Sequence, residues 1–100
     1  MTLKIRKNLM DKVLDGSKKS TSRIGERDFQ VGDTIIFVSL EDESITYSTE
    51  ITDVTFCKAC DFTLEEAMLE GYGSVEEMLS SLAAVYDFEL NQIFTLIRFK

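Results

Sequence analysis

Two short apolar runs constrain the fold of this chain more than any other feature. Thr34–Leu40 (TIIFVSL) and Ile93–Phe99 (IFTLIRF) are rich in β-branched and aromatic residues, which is typical of buried strands. Both are far shorter than the roughly 18 apolar residues that a membrane-spanning helix needs. The sequence therefore predicts a β-sheet core, with the second run as a C-terminal strand that closes the sheet.

The rest of the pattern adds strands and short helices to that sheet. Ser20–Ile24 favours an extended strand, and residues 45–54 return as a strand after the acidic turn 41–44, which makes an antiparallel hairpin. Helical spacing predicts a helix over residues 7–15 that ends at Gly16. Thr63 and Ser74 each precede a Glu by three residues, so capping boxes begin two more helices, the second with a core face from Val75 to Tyr86.

These elements predict the α+β class and one domain over residues 1–100. We expect a small curled β-barrel of about five to six mostly antiparallel strands, flanked by about two to three short helices. The N-terminus lacks the long apolar stretch and cleavage site of a signal peptide, and two cysteines are too few for a secreted disulfide framework. A cytoplasmic location without membrane attachment follows as an expectation.

Charge is distributed unevenly along the chain. The net charge is −7, yet residues 1–27 contain eight Lys and Arg against three acids, and residues 28–100 contain three against fifteen. An acidic body disfavours strong binding to a nucleic-acid polymer. The cationic N-terminal quarter indicates a local site for an anion or a polar ligand. The alternative is that the two parts neutralise each other across the fold.

Residue chemistry narrows the catalytic options. The chain has no histidine, so the usual general base and metal ligand is missing. Cys57 and Cys60 have the spacing of a metal or redox pair, but no further Cys or His completes a zinc site. We interpret them as two ordinary thiols and expect neither a metal nor a cofactor.

The remaining chemistry is concentrated between Gly16 and Arg23, in GSKKSTSR. A lysine activates a nearby hydroxyl when burial or a neighbouring cation lowers its pKa. Lys19 and Arg23 are the candidate neighbouring cations for Lys18. On a strand Lys19, Thr21 and Arg23 share a face, and Lys18 joins them if the chain bends after Gly16. The alternative is a solvated basic loop.

The spacing Gly16-x-Lys18-x-x-Thr21-x-Arg23 resembles the G-x-K-x-x-T-x-R signature of the ASCH family (activating-signal-cointegrator homology), which has a PUA-like β-barrel fold. Further similarities follow in the expected order: the Gly32-Asp33 turn before an apolar strand, residues 70–74 (EGYGS) before a helix, and an apolar C-terminal strand. The resemblance extends from about residue 9 to residue 99.

The resemblance implies two kinds of activity. One is recognition of RNA or a nucleotide in the cleft beside the barrel, and a ribonuclease is a more distant possibility. The other is the amidohydrolase activity of small bacterial members, which act on N4-acetylcytidine and related acylated cytidines. The resemblance then assigns these roles: Lys18 as base, Thr21 as nucleophile, Glu70 as third catalytic residue with Glu65 and Glu66 as rivals, and Arg23 as the residue that holds the substrate or the oxyanion. Lys19 and Tyr72 are further candidate substrate-binding residues. The alternatives are that Lys19 only tunes the local charge or is solvated, and that Tyr72 packs on the barrel. The resemblance leaves the oligomeric state open.

Overall fold

A sheet of five strands carries three α-helices and one short 3-10 turn. The structure, a computed structural model, describes residues 1–100. In chain order the elements are β1 (Thr2–Ile5), α1 (Lys7–Asp15), β2 (Ser20–Ile24), β3 (Thr34–Ser39), β4 (Thr46–Lys58), the 3-10 turn (Ala59–Asp61), α2 (Leu64–Leu69), α3 (Val75–Ala83) and β5 (Ile93–Phe99).

The sheet is mixed and open. Its strand order is β1-β3-β4-β5-β2, with β1 parallel to β3 and the other pairs antiparallel. The α+β class is therefore confirmed, whereas the barrel is not. The apolar strand β5 does not close the sheet, because it lies in the interior between β4 and β2. The edge strands β1 and β2 are not paired with each other.

Three elements differ from the sequence prediction. β1 was not predicted, because it is four residues long and pairs in parallel with a strand that is distant in the chain, so no hairpin signal marks it. β4 continues to Lys58, which places Cys57 on a strand. α3 ends at Ala83 rather than near Tyr86, and Val85 beyond it is 61% exposed rather than part of the core.

The helix starts follow the capping chemistry only in part. Thr63 and Glu66 form the complete capping box that the spacing predicts. Ser74 accepts a hydrogen bond from the backbone N–H of Glu77, but the Glu77 carboxylate accepts from Gly73 instead of Ser74. No helix of the chain is both long and apolar enough to cross a membrane.

The buried side chains form two clusters that share β5. The first lies between α1 and the sheet and includes Met10, Phe37 and Phe99. The second lies under α2 and α3 and includes Met78 and Phe94. A cavity lies where the two clusters meet, because its lining residues belong to or pack against both of them.

Candidate active site

The end of α1 directs Lys18 into the protein. Gly16 adopts a left-handed backbone with φ 86°, which a glycine reaches without strain, and its N–H donates to the Val13 carbonyl. The Lys18 N–H then donates to the Lys12 carbonyl at 3.0 Å. This is the bend on which the sequence prediction depended. The Lys18 side chain is only 1% exposed, which rules out the alternative of a solvated basic loop for this residue.

Lys18 meets Glu70 in the interior. The Lys18 ammonium donates to the Glu70 main-chain carbonyl at 3.1 Å and lies 4.0 Å from the Glu70 carboxylate Oε1. Burial lowers the pKa of Lys18 to about 8, while the Glu70 carboxylate opposes that shift. Burial also raises the pKa of Glu70, and the Lys18 ammonium opposes it. A buried pair of this kind holds a lysine that can change its protonation state near neutral pH.

Glu70 is carried by the end of α2. It is the C-cap residue of that helix, and Gly71 follows with φ 93°. A Cβ at Gly71 would come within 2.9 Å of Lys12 Cδ, and the Lys12 ammonium donates to the Gly71 carbonyl. The chain therefore turns closely against α1 at this glycine, which brings Glu70 beside Lys18. Of the three rival acids Glu70 is the buried one, since Glu65 is exposed and the Glu66 carboxylate is held in the capping box.

Thr21 and Arg23 lie on β2 and share a face, as the strand pattern predicts. Arg23 Nη1 donates to Thr21 Oγ1 at 3.0 Å and to the Ser22 carbonyl at 2.7 Å. Burial is the main cause that lowers the pKa of Arg23, but an arginine stays protonated in proteins. The Thr21 hydroxyl thus has a fixed cation beside it.

Ser22 is a site residue that the sequence analysis missed. Its buried hydroxyl donates to Oε2 of the Glu70 carboxylate. Strand alternation assigns Ser22 to the face opposite Thr21 and Arg23, so nothing local indicated a role. The contact depends on Glu70, which is 48 residues away in the chain.

The predicted residues largely share one cavity of about 150 Å³. Lys18, Thr21, Arg23, Glu70 and Tyr72 all line it. Lys19 does not, and it lies instead in a separate surface depression beside Leu64 and Met68 of α2. The cations that lower the pKa of Lys18 are Arg23 and Lys12. Lys12, not Lys19, thus supplies the second neighbouring charge.

Comparison with known proteins decides the family. The family model of the ASCH domain matches residues 2–91. The chain belongs to the ASCH domain family. No curated protein matches the chain.

Several solved structures share the fold of this chain. The ASCH domain from Lactobacillus crispatus superposes with a TM-score of 0.80 at 21% identity, over 93% of this chain and 69% of that one. Protein EF3133 from Enterococcus faecalis gives 0.72 at 17% identity, over 93% and 69%. A variant of ZmASCH from Zymomonas mobilis gives 0.70 at 8% identity, over 99% and 67%. These similarities show that the chain shares the fold of these structures.

Tyr72 forms part of the wall of the cavity in this ASCH domain. Its hydroxyl donates to Ser81 Oγ of α3 at 2.7 Å, and the ring is half-buried. Burial raises the pKa of Tyr72, so the hydroxyl is neutral at physiological pH. The ring is held in position by this bond, and its role in stacking on a base stays a prediction.

The thiols lie outside the cavity. Cys57 is half-buried on β4 and Cys60 is exposed after it, and both are free. Burial raises the pKa of Cys57, which disfavours the reactive thiolate. No group of three or more His, Cys, Asp or Glu side chains in the structure is arranged to hold a metal ion.

Ser22→Ala is expected to raise the pKa of Glu70 further and to destabilise the ASCH domain by about 1–3 kcal/mol, because a buried carboxylate oxygen loses its hydrogen-bond donor. Chemical unfolding and NMR titration of the Glu70 carboxyl measure the two effects. Ser20→Ala is the matched control, since Ser20 is buried on the same strand without a hydrogen bond to Glu70. An unchanged pKa of Glu70 in Ser22→Ala contradicts the expectation.

Proposed function

We propose that this ASCH domain is an amidohydrolase that removes the acyl group from N4-acylated cytidines. The observation that carries the proposal is the buried Lys18–Glu70 pair in a cavity that Thr21 also lines. Removing two charges from water costs several kcal/mol per ion. Such a pair beside a hydroxyl therefore supports a catalytic site rather than a purely structural one.

In the first step Thr21 attacks the acyl carbonyl carbon. Lys18 in its neutral form accepts the proton of the Thr21 hydroxyl, and the new C–O bond places negative charge on the carbonyl oxygen. Arg23 Nη1, which donates to Thr21 Oγ1 at 3.0 Å, is close enough to that centre to stabilise the developing oxyanion.

Collapse of the tetrahedral intermediate breaks the C–N bond. The N4 amine of cytidine leaves with the proton that Lys18 now carries, and the acyl group stays on Thr21 as an ester. Water then attacks this ester with the neutral Lys18 as base. The C–O bond to Thr21 breaks, Thr21 Oγ1 takes the proton back from Lys18, and the free acid is released. Lys18 thus accepts and returns one proton in each half of the reaction.

Glu70 sets the protonation of Lys18. Its carboxylate raises the pKa of the buried lysine and so limits the fall that burial causes. Without that charge the Lys18 pKa falls further, so the neutral amine is a weaker base and the ammonium that forms when it takes the Thr21 proton is less stabilised. The Lys18–Glu70 pair therefore suits a reaction in which Lys18 acts first as base and then as acid.

The alternative is a non-catalytic ASCH module that binds RNA or a nucleotide. The cations that line the cavity favour it. The net charge of −7 disfavours a polymer, since phosphate contacts supply much of the affinity of such complexes. A single nucleoside needs only a small polar cavity, which suits the enzyme.

Incubation with N4-acetylcytidine tests the proposal, with release of cytidine and acetate followed by chromatography. Turnover supports the enzyme. If no acetate is released and RNA binds with an affinity that weakens steeply with salt, the amidohydrolase is excluded and the non-catalytic binding module is supported.

Glu70→Gln is expected to lower kcat by about a hundredfold or more, because it removes the charge that stabilises the ammonium formed as Lys18 takes the Thr21 proton. Glu65→Gln, on the exposed surface of α2, is the matched control and is expected to leave kcat within about twofold. Equal rates for Glu70→Gln and the parent assign the third catalytic role elsewhere.

A further inference from the structure

The cavity is more cationic than deacylation of a neutral nucleoside requires. Its lining contains four cationic side chains, Lys4, Arg6, Lys18 and Arg23, and Glu70 as the only carboxylate. The protein as a whole carries a net charge of −7. Positive charge is thus concentrated at this opening against the charge of the rest of the molecule, which attracts anions into it.

Neither arginine of the cavity forms an ion pair in the protein. The three ion pairs are Lys4–Glu43, Lys18–Glu70 and Lys100–Glu50, so none includes an arginine. Arg23 donates to Thr21 and to a backbone carbonyl. Arg6 makes one long hydrogen bond, from Nη2 to the Ser81 carbonyl at 3.3 Å.

Nearby acids are occupied elsewhere. The Glu41 carboxylate, which lies close to the start of α1, accepts the backbone N–H of Lys7 at 2.6 Å. Glu43 pairs with Lys4 at 3.3 Å on the exposed surface. Most donors of the half-buried Arg6 guanidinium have no acceptor in the protein, because its one hydrogen bond goes to Ser81 and no ion pair includes it, although the group lines the cavity.

Arg6 lines the cavity from the start of α1. It is the N-cap residue of α1, and Ser81, whose carbonyl it contacts, accepts the Tyr72 hydroxyl at 2.7 Å. Arg6 also contributes to the electrostatic environment of Tyr72, as Glu70 does. The guanidinium thus lies at the same cavity as the Lys18–Glu70 pair but on a different wall from Arg23 on β2.

We propose that Arg6, with Lys4 beside it on β1, forms an anion-binding subsite, so that the acylated cytidine taken by this domain carries a negatively charged group. This inference rests on the proposed function for the nature of the rest of the ligand. The anion has two possible sources, a phosphate on the ribose or a carboxylate on the acyl chain. A planar guanidinium matches both, because it offers two parallel N–H donors to paired oxygens.

Calorimetric titration tests the subsite with cytidine, cytidine 5′-monophosphate and N4-succinylcytidine. We expect one of the two anionic compounds to bind at least about tenfold more tightly than cytidine, since hydrogen bonds to charged groups are worth roughly twice those between neutral groups. The advantage should shrink as NaCl is raised. The anionic compound that shows this advantage identifies the source of the charge, which is the phosphate on the ribose or the carboxylate on the acyl chain.

Arg6→Gln is expected to abolish this advantage, whereas Lys7→Gln, an exposed neighbour that does not line the cavity, is expected to keep it. Thermal unfolding verifies that each variant is folded. Lys4→Gln gives a second variant and should reduce the advantage by a smaller factor. Failure of both anionic compounds to bind more tightly than cytidine, or an advantage that survives in Arg6→Gln, overturns the inference.

The outcome is separable from that of the proposed function. Preferential binding of an anionic compound without hydrolysis of any N4-acylcytidine supports the anion subsite and excludes the amidohydrolase activity. Hydrolysis of N4-acetylcytidine without such a preference supports the amidohydrolase activity and excludes the anion subsite.

Discussion

Thr21→Ala is expected to lower kcat/KM for N4-acetylcytidine by about 10⁴-fold, because it removes the oxygen that attacks the acyl carbon. The fold should survive, since Thr21 contributes one buried hydroxyl on an edge strand. Thr21→Ser keeps the hydroxyl and should retain activity within about tenfold. Mass spectrometry of the parent, quenched during turnover, should detect the acyl group on Thr21.

Thr55→Ala provides the matched control for this experiment. Thr55 is an exposed threonine on β4 and does not line the cavity. Its replacement should leave kcat/KM within about twofold. Equal loss in both variants, or turnover by Thr21→Ala close to that of the parent, excludes Thr21 as the nucleophile.

Lys18→Met is expected to lower kcat by about 10³-fold, because it removes the group that accepts the Thr21 proton while filling the same buried space. In the parent the rate should rise with pH through the Lys18 pKa of about 8, since only the neutral amine is a base. At pH 7 about a tenth of the molecules have that form. Initial rates between pH 6 and pH 9 measure the profile.

Lys58→Met is the matched control, with an exposed lysine at the end of β4. It should keep both the rate and the pH profile. A rate that does not change with pH between pH 6 and pH 9 contradicts the role of Lys18 as base.

The same pKa shift determines how Lys18 affects stability. The folded pKa of about 8 lies below the ordinary value of 10.5, so between these values the unfolded chain binds more protons than the folded one. The contribution of Lys18 to the free energy of unfolding therefore rises with pH across that window. Relative to Lys18→Met, the parent should gain stability from pH 8 to pH 10 in chemical unfolding.

Much of the fold could be predicted because its signals are local. The β3–β4 hairpin, the end of α1 at Gly16 and the starts of α2 and α3 each depend on residues within a few positions of one another. β1 and the interior position of β5 could not be predicted, because both depend on pairing between distant segments. The sheet is open because its edge strands β1 and β2 are not paired, and no local pattern encodes this.

The candidate site divides in the same way. Lys18, Thr21 and Arg23 lie within six residues, so one segment brings them together. Glu70 is 52 residues from Lys18, and its selection over Glu65 and Glu66 depends on which acid the end of α2 buries. The contacts of Ser22 with Glu70 and of Arg6 with Ser81 join residues that are 48 and 75 positions apart in the chain, so no local sequence pattern indicates them.

The sequence by itself determined the strands of the hairpin, the turn after α1 and the segment from Gly16 to Arg23 that supplies the lysine and the hydroxyl. Only the tertiary structure decided that Lys18 is buried beside Glu70, that Lys19 lies outside the cavity and that Arg6 lines it. The reason is physical. Hydrogen bonding and steric preference act between neighbours in the chain, whereas burial and electrostatic environment are set by segments that meet only when the protein folds.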